Sequence, residues 1–172
     1  MRRLRSEGAG VRRAWRAGAS AVLAMVSASC AAPAAQELPG CVVLDGLREQ
    51  SIGQVNNTLG GPYPAIGDSA TYVHQLHDHG GNQVATIHGK TNVRLRMADG
   101  GLLEFFDERI EFGDGTVLAQ GYYERGAGAQ FLPLIGTAGV FRDKLGRRTF
   151  EPLDAAGSAT TTFTLCPAGI LK

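Results

Sequence analysis

Histidine is confined to one stretch of this sequence. His74, His77 and His79 fall within Tyr72–His79 beside Asp78, and His88 follows shortly after. On an extended strand His77 and His79 share a face and His74 lies opposite, a poor arrangement for one mononuclear metal site. No metal is expected, and a surface strand end leading into Gly80-Gly81 accounts for the pair. His74 is left as a pocket acid or base. A second group with chemical potential is Leu102–Phe112, where Leu102, Glu104, Phe106, Glu108, Ile110 and Phe112 share one parity. That face is the more apolar one, yet it carries two carboxylates. Pointed inward, Glu104 or Glu108 becomes a desolvated acid with a raised pKa. The alternative puts both near the mouths of the fold, solvated or paired with arginine. Tyr72, Tyr122 and Tyr123 add phenols that can donate hydrogen bonds. The motifs G-x-S-x-G, H-E-x-x-H, Walker A and the dinucleotide-binding glycine fingerprint are absent from the sequence, and Ser51, Ser69 and Ser158 stand in no triad context. Hydrolase, phosphotransferase and dehydrogenase chemistry therefore recede, and no cofactor is expected.

The elements that must position these residues read as strands. From Leu44 onward, runs rich in Val, Ile, Thr, Phe and Tyr are broken by Gly60-Gly61, Gly67-Asp68, Gly80-Gly81, Asp99-Gly100-Gly101, Asp114-Gly115, Gly126–Gly128, Gly136–Gly139 and Gly146. Asp-Gly supplies the positive φ of tight hairpin turns, so consecutive strands should pair antiparallel. After residue 35 no stretch keeps apolar residues at helical spacing for three turns. The expectation is an all-β fold, a closed antiparallel meander barrel of about eight strands, which also removes exposed edges. In Thr91–Met97, alternation sets Val93, Leu95 and Met97 on one face and Arg94 and Arg96 on the other. Gly53–Gly67, with Asn56-Asn57, Pro62 and Pro64, reads as a long loop over one mouth.

The chain has 172 residues and a formal charge of +1, enough for one ordinary domain. Residues 1–34 carry six arginines against Glu7, then an apolar run from Ala17 to Ala28, then small residues. This is the order of an export signal, and the apolar run is shorter than the ~20 residues that span a bilayer. Cleavage after Ala32-Pro33-Ala34 is expected, with a periplasmic or secreted product and no membrane span. Arg12-Arg13 leaves Sec and twin-arginine export both open, and Cys30 after Ser27-Ala28-Ser29 is a candidate lipid anchor. The remaining 138 residues hold 11 basic and 15 acidic side chains, a formal charge of −4. With no basic stripe and few aromatics, nucleic acid is not an expected partner. Cys41 and Cys166, one at each end of the domain, either pair in an oxidising compartment or remain two free buried thiols. The organisation expected is a signal peptide (1–34), an N-terminal segment with first strand and mouth loop (35–66), a barrel core (67–166) and a short tail (167–172).

Several segments together resemble a known barrel family. These are Gly67-Asp68, Gly80-x-Asn82-x-Val84-Ala85, Asp99-Gly100, Phe112-x-Asp114-Gly115, Gly121 and Leu134-Ile135-Gly136-Thr137-Ala138-Gly139-Val140-Phe141, closing on Thr160–Leu165. The pattern is similar to the allene oxide cyclase and dirigent superfamily over Asp68–Leu165. The resemblance implies an eight-stranded barrel around a hydrophobic cavity, a hydrophobic small molecule as partner, and a homotrimer. Plant allene oxide cyclases carry Gly-Asp-x-x-Pro-Phe-x-Asn where this chain reads Gly67-Asp68-Ser69-Ala70-Thr71-Tyr72-Val73-His74. Tyr72 and His74 thus stand at the Phe and Asn positions, and the Pro is missing. The expected function is an exported barrel of isomerase or cyclase type acting on a lipid- or phenol-derived molecule. His74, Glu104 and Tyr72 are its candidate catalytic groups, and Tyr122, Tyr123 and Phe106 its candidate ligand contacts. The competing expectation is a non-catalytic dirigent-like or structural barrel, its lumen filled by Phe105, Phe106, Phe112 and Phe131.

Overall fold

The computed structural model describes residues 39–61, 63–152 and 158–169. The expected signal peptide, Cys30 and the last three residues of the tail lie outside them. Eight strands follow one another: β1 Val42–Asn57, β2 Ser69–His77, β3 Gln83–Arg96, β4 Leu102–Phe112, β5 Gly115–Arg125, β6 Gln130–Gly139, β7 Lys144–Pro152 and β8 Ala159–Pro167. Each pairs antiparallel with the next, and β1 pairs with β8, so the sheet closes into the expected meander barrel. No helix is present among the described residues.

Alternation puts every second side chain in the lumen. On β4 the inward parity is the one carrying Glu104, Phe106, Glu108, Ile110 and Phe112, as the pattern of apolar residues requires. On β3 the expected alternation fails at its end. The register shifts between Val93 and Leu95, so Leu95 comes to pair with Leu103 on the outer wall and is exposed. A bulge adds one unpaired residue and flips the parity beyond it. The reading of Gly53–Gly67 as loop is corrected in part. Residues through Asn57 continue β1 past a second bulge between Ser51 and Gly53, because their backbone pairs with Val73–Ser69 of β2. The loop proper begins at Thr58. Buried Asp68 ties it down, accepting from the backbone N–H of Leu59 and of Ala65 at 2.9 Å each.

One end of the barrel is closed and apolar. Leu76, Ile87, Ile110, Val117, Leu134, Phe141, Phe163 and Leu165 are all at most 2% exposed there, and Phe112 packs on Phe141 and Phe163. The β6–β7 turn seals this end because Gly136 has no side chain. A Cβ at that position would sit 1.7 Å from the Phe141 carbonyl oxygen. Cys41 and Cys166 form a disulfide across the β1–β8 seam at the same end.

Candidate functional site

β4 runs from the open mouth to this floor, and its inward residues mark depth. Below Glu104 come Phe106 and then Glu108, and the space around them is a cavity of about 330 Å3. That is at the small end of ligand-sized pockets. Phe106, Tyr123 and Phe150 line it in a continuous aromatic band, with ring centroids 5.2 Å apart for Phe106–Tyr123 and 5.4 Å for Tyr123–Phe150. A wider dent of about 590 Å3 lies where β1 to β4 run side by side, but it opens broadly to solvent and holds no comparable set of buried polar groups.

The cavity is not a purely greasy lumen. At its base the Arg148 guanidinium bridges two carboxylates, Nη1 to Glu108 and Nη2 to Glu49, while Nε donates to Thr161 Oγ1 at 3.0 Å. All four side chains are buried. Glu49 in turn meets His74 Nδ1 at 2.6 Å, and Glu108 accepts from the Tyr72 hydroxyl at 2.7 Å. Tyr72, Glu108, Arg148, Glu49 and His74 therefore form one hydrogen-bonded chain drawn from β2, β4, β7 and β1. Burial pushes the Glu49 carboxyl up, but Arg148 and His74 outweigh that and hold it at about 2. Burial and the Glu108 charge push the Tyr72 phenol well above its usual range, so it stays a hydroxyl donor. Burial lowers the Arg148 pKa, but its two carboxylates raise it further and it stays charged.

Tyr72 reaches Glu108 because β3, which lies between their strands, offers glycine at the crossing. Gly89 pairs with Tyr72 on one side and with Glu108 on the other. A Cβ there would sit 2.1 Å from the ring carbon that bears the hydroxyl. The phenol lies flat across the empty position and spans a whole strand.

Nearer the mouth is a second, smaller ion pair. Glu104, fully buried, accepts from Thr91 Oγ1 at 2.8 Å and from Arg125 Nε. Arg125 is half exposed and also donates to the Tyr63 hydroxyl at 3.2 Å, with its guanidinium 5.4 Å from that ring's centroid. Tyr63 belongs to the loop that Asp68 anchors, so the loop contributes one wall of the entrance.

The expected site residues thus separate. His74, Tyr72, Glu104, Tyr123 and Phe106 all line the cavity. Tyr122 does not. It is 59% exposed on the outer wall against Phe105, because its parity is opposite to that of Tyr123. Phe131, expected as lumen filling, is also on the outside at 64% exposure. Glu104 and Glu108 combine the two readings offered for them, since they are buried in the lumen and each is paired with an arginine. Glu49, Arg148, Thr161, Tyr63 and Arg125 were not anticipated. A usable signal existed for two of them. Glu49 shares parity with Leu47, and Arg148 with Phe150, so each is a charge on an apolar face. His77 and His79 lie at the β2–β3 turn, where the Asp78 carboxylate accepts from the Asn82 backbone at 2.8 Å. No cluster of three His, Cys, Asp or Glu side chains among the described residues could hold a metal ion.

A family model of the allene oxide cyclase barrel-like domain matches residues 49–165. The chain belongs to that family. No curated protein matches it in sequence. Among solved structures it is similar to the Diels-Alderase AbmU from Streptomyces koyangensis, with 24% identity over 75% of this chain and a TM-score of 0.67. It spans only 65% of that enzyme's length. AbnU, an exo-specific intermolecular Diels-Alderase, is 22% identical over 73% of this chain and 96% of its own, with a TM-score of 0.65. A pyocyanin demethylase is 16% identical over 73% of this chain and 98% of its own, with a TM-score of 0.61. At these identities the likeness is one of fold.

Proposed function

We propose that this member of the allene oxide cyclase barrel-like family is an exported isomerase or cyclase. It takes an apolar small molecule into the barrel mouth and holds it folded against the Phe106, Tyr123 and Phe150 rings. Confinement in one conformation brings reacting atoms together and supplies a large part of such a rate enhancement. The observation that carries the reading is the His74–Glu49 pair on the cavity wall. Its Nδ1 is fixed by a buried carboxylate, and its Nε2 makes no hydrogen bond among the described residues. A ring oriented in this way can pass a proton to a carbonyl or epoxide oxygen through Nε2 and recover it from the product, while Glu49 stabilises the imidazolium. Tyr72 and Glu108 complete the polar base. Glu104 acts as a positioning residue, holding Arg125 and through it Tyr63 at the entrance. The diverse cycloaddition and demethylation enzymes that share the fold support a reactive lumen, and the open cavity weighs against a barrel filled by its own side chains.

An isomerisation or cyclisation conserves mass. Lipid and aromatic extracts incubated with the protein should therefore show a compound converted to one of equal mass and different retention. His74→Ala should slow this conversion by about 100-fold or more, the usual span of a general acid or base. If no equal-mass conversion distinguishes the wild-type protein from buffer, the catalytic reading falls and the binding barrel replaces it.

A further inference from the structure

The charges around the cavity do not cancel. Glu49 faces it from β1, His74 from β2, Glu104 and Glu108 from β4, Arg125 from β5 and Arg148 from β7. The three carboxylates exceed the two guanidinium groups by one. The excess sits at the base, where a single Arg148 serves both Glu49 and Glu108. Three of the five N–H donors of Arg148 are engaged by protein oxygens, and its single charge is already shared by two buried carboxylates, with which an anionic ligand would have to compete. Arg125 donates from Nε to Glu104 and from Nη2 to Tyr63. Above the excess charge stands the band of aromatic rings, whose faces attract cations; Arg148 already lies 5.0 Å from the Phe150 centroid, which leaves Phe106 and Tyr123 for a ligand. Burial pushes the Tyr72, Tyr63 and Tyr123 phenols up, so they stay neutral and leave the count unchanged.

We infer that the ligand of this cavity is an apolar molecule carrying one positive charge, of the amine or ammonium class. This rests on the cavity being the small-molecule site proposed above. The cation occupies the space between the aromatic band and the Glu49–Arg148–Glu108 base, where it neutralises the unmatched carboxylate.

Three probes of one shape and different charge test this on the full chain by calorimetry: 2-naphthylmethylammonium, 2-naphthylmethanol and 2-naphthoate. The ammonium should bind at one site about tenfold or more tighter than the alcohol, and the carboxylate most weakly. Glu108→Gln, which removes the excess carboxylate, should bring ammonium and alcohol to within about threefold. The wild-type series decides the question even if that variant fails to fold. If the alcohol or the carboxylate binds tightest, the charge assignment is overturned and the cavity remains a ligand site. If none of the three binds, the cavity is not a ligand site, and both readings fall.

Discussion

Along β4 the inward side chains pass from Phe112 and Ile110 at the floor to Glu108, Phe106 and Glu104 toward the mouth, and the barrel changes character with them. The lower half is filled by Leu, Ile, Val and Phe at near-zero exposure. Each such side chain contributes roughly 1.5–3 kcal/mol by leaving water. The upper half instead buries four charged side chains, Glu49, Glu104, Glu108 and Arg148, and leaves space between aromatic rings. Buried ion pairs of this kind roughly break even against their desolvation. The upper half therefore adds little net stability, and it depends on the lower half to hold its strands in register. Single strands serve both purposes, β4 contributing Ile110 and Phe112 at the floor and Glu104 and Glu108 above, whereas β6 supplies no side chain to the cavity.

The comparison can be broken by experiment. Removing the disulfide by Cys41→Ser with Cys166→Ser should have the largest effect. Its two cysteines are 125 residues apart, and in the chain-entropy model such a cross-link is worth roughly 4–5 kcal/mol, to be read by urea denaturation. Next come two substitutions of similar cost and opposite pH behaviour. Phe163→Ala should cost about 3–5 kcal/mol through the hole it leaves in the floor, with a penalty indifferent to pH. Arg148→Ala should cost about 3–5 kcal/mol at neutral pH because it strands two buried carboxylates. That penalty should shrink in acid. Glu49 titrates at about 2 when folded against a reference value of 4.5. The pairing thus stabilises the wild type fully above the unfolded value and is lost as the pH falls from there toward 2, a span of roughly 3 kcal/mol. The variant lacks that stabilisation and so has less to lose. Equal pH slopes for wild type and Arg148→Ala would contradict the division of labour.

Smaller effects sharpen it. Gly89→Ala must displace the Tyr72 ring and break its bond to Glu108, and Tyr72→Phe removes the same bond with the ring in place. Each should cost about 1–3 kcal/mol, and Gly89→Ala should in addition change probe binding, because its methyl group redirects a ring that lines the cavity. Tyr122→Ala, on the outer wall, should alter stability by less than about 0.5 kcal/mol and leave binding unchanged.

How far the sequence disclosed this arrangement depended on the length of the alternating runs. β4 carries an unbroken alternation over its full length, so its two faces separated directly, while the two carboxylates on the more apolar face left its environment open. In β3 the bulge beyond Val93 reversed the parity at Leu95, and a bulge has no composition signature of its own here. His74 and Tyr72 were legible through the family resemblance, at the positions of its Asn and Phe. Their partners were not, since Glu49 and Arg148 come from β1 and β7, 99 residues apart, and nothing local says that they meet. The turn glycines disclosed the connectivity because their role is local backbone geometry. Gly89 escaped notice because its role is to be crossed by a side chain from the adjacent strand.

The covalent bond at the β1–β8 seam lies beside the floor, and the opposite end of that seam runs from Glu49 and Ala159 to the rim without such a fastening. A cylinder clasped at one end can part along its length only from the other. Thermal fluctuation should thereby be directed, with the rim breathing while the apolar floor stays shut. Amide exchange across the β1–β8 ladder should grade accordingly, fastest near Arg48 and Glu49 and slowest near Val42 and Val43, and the passage of a guest molecule in or out requires no loosening of the apolar floor.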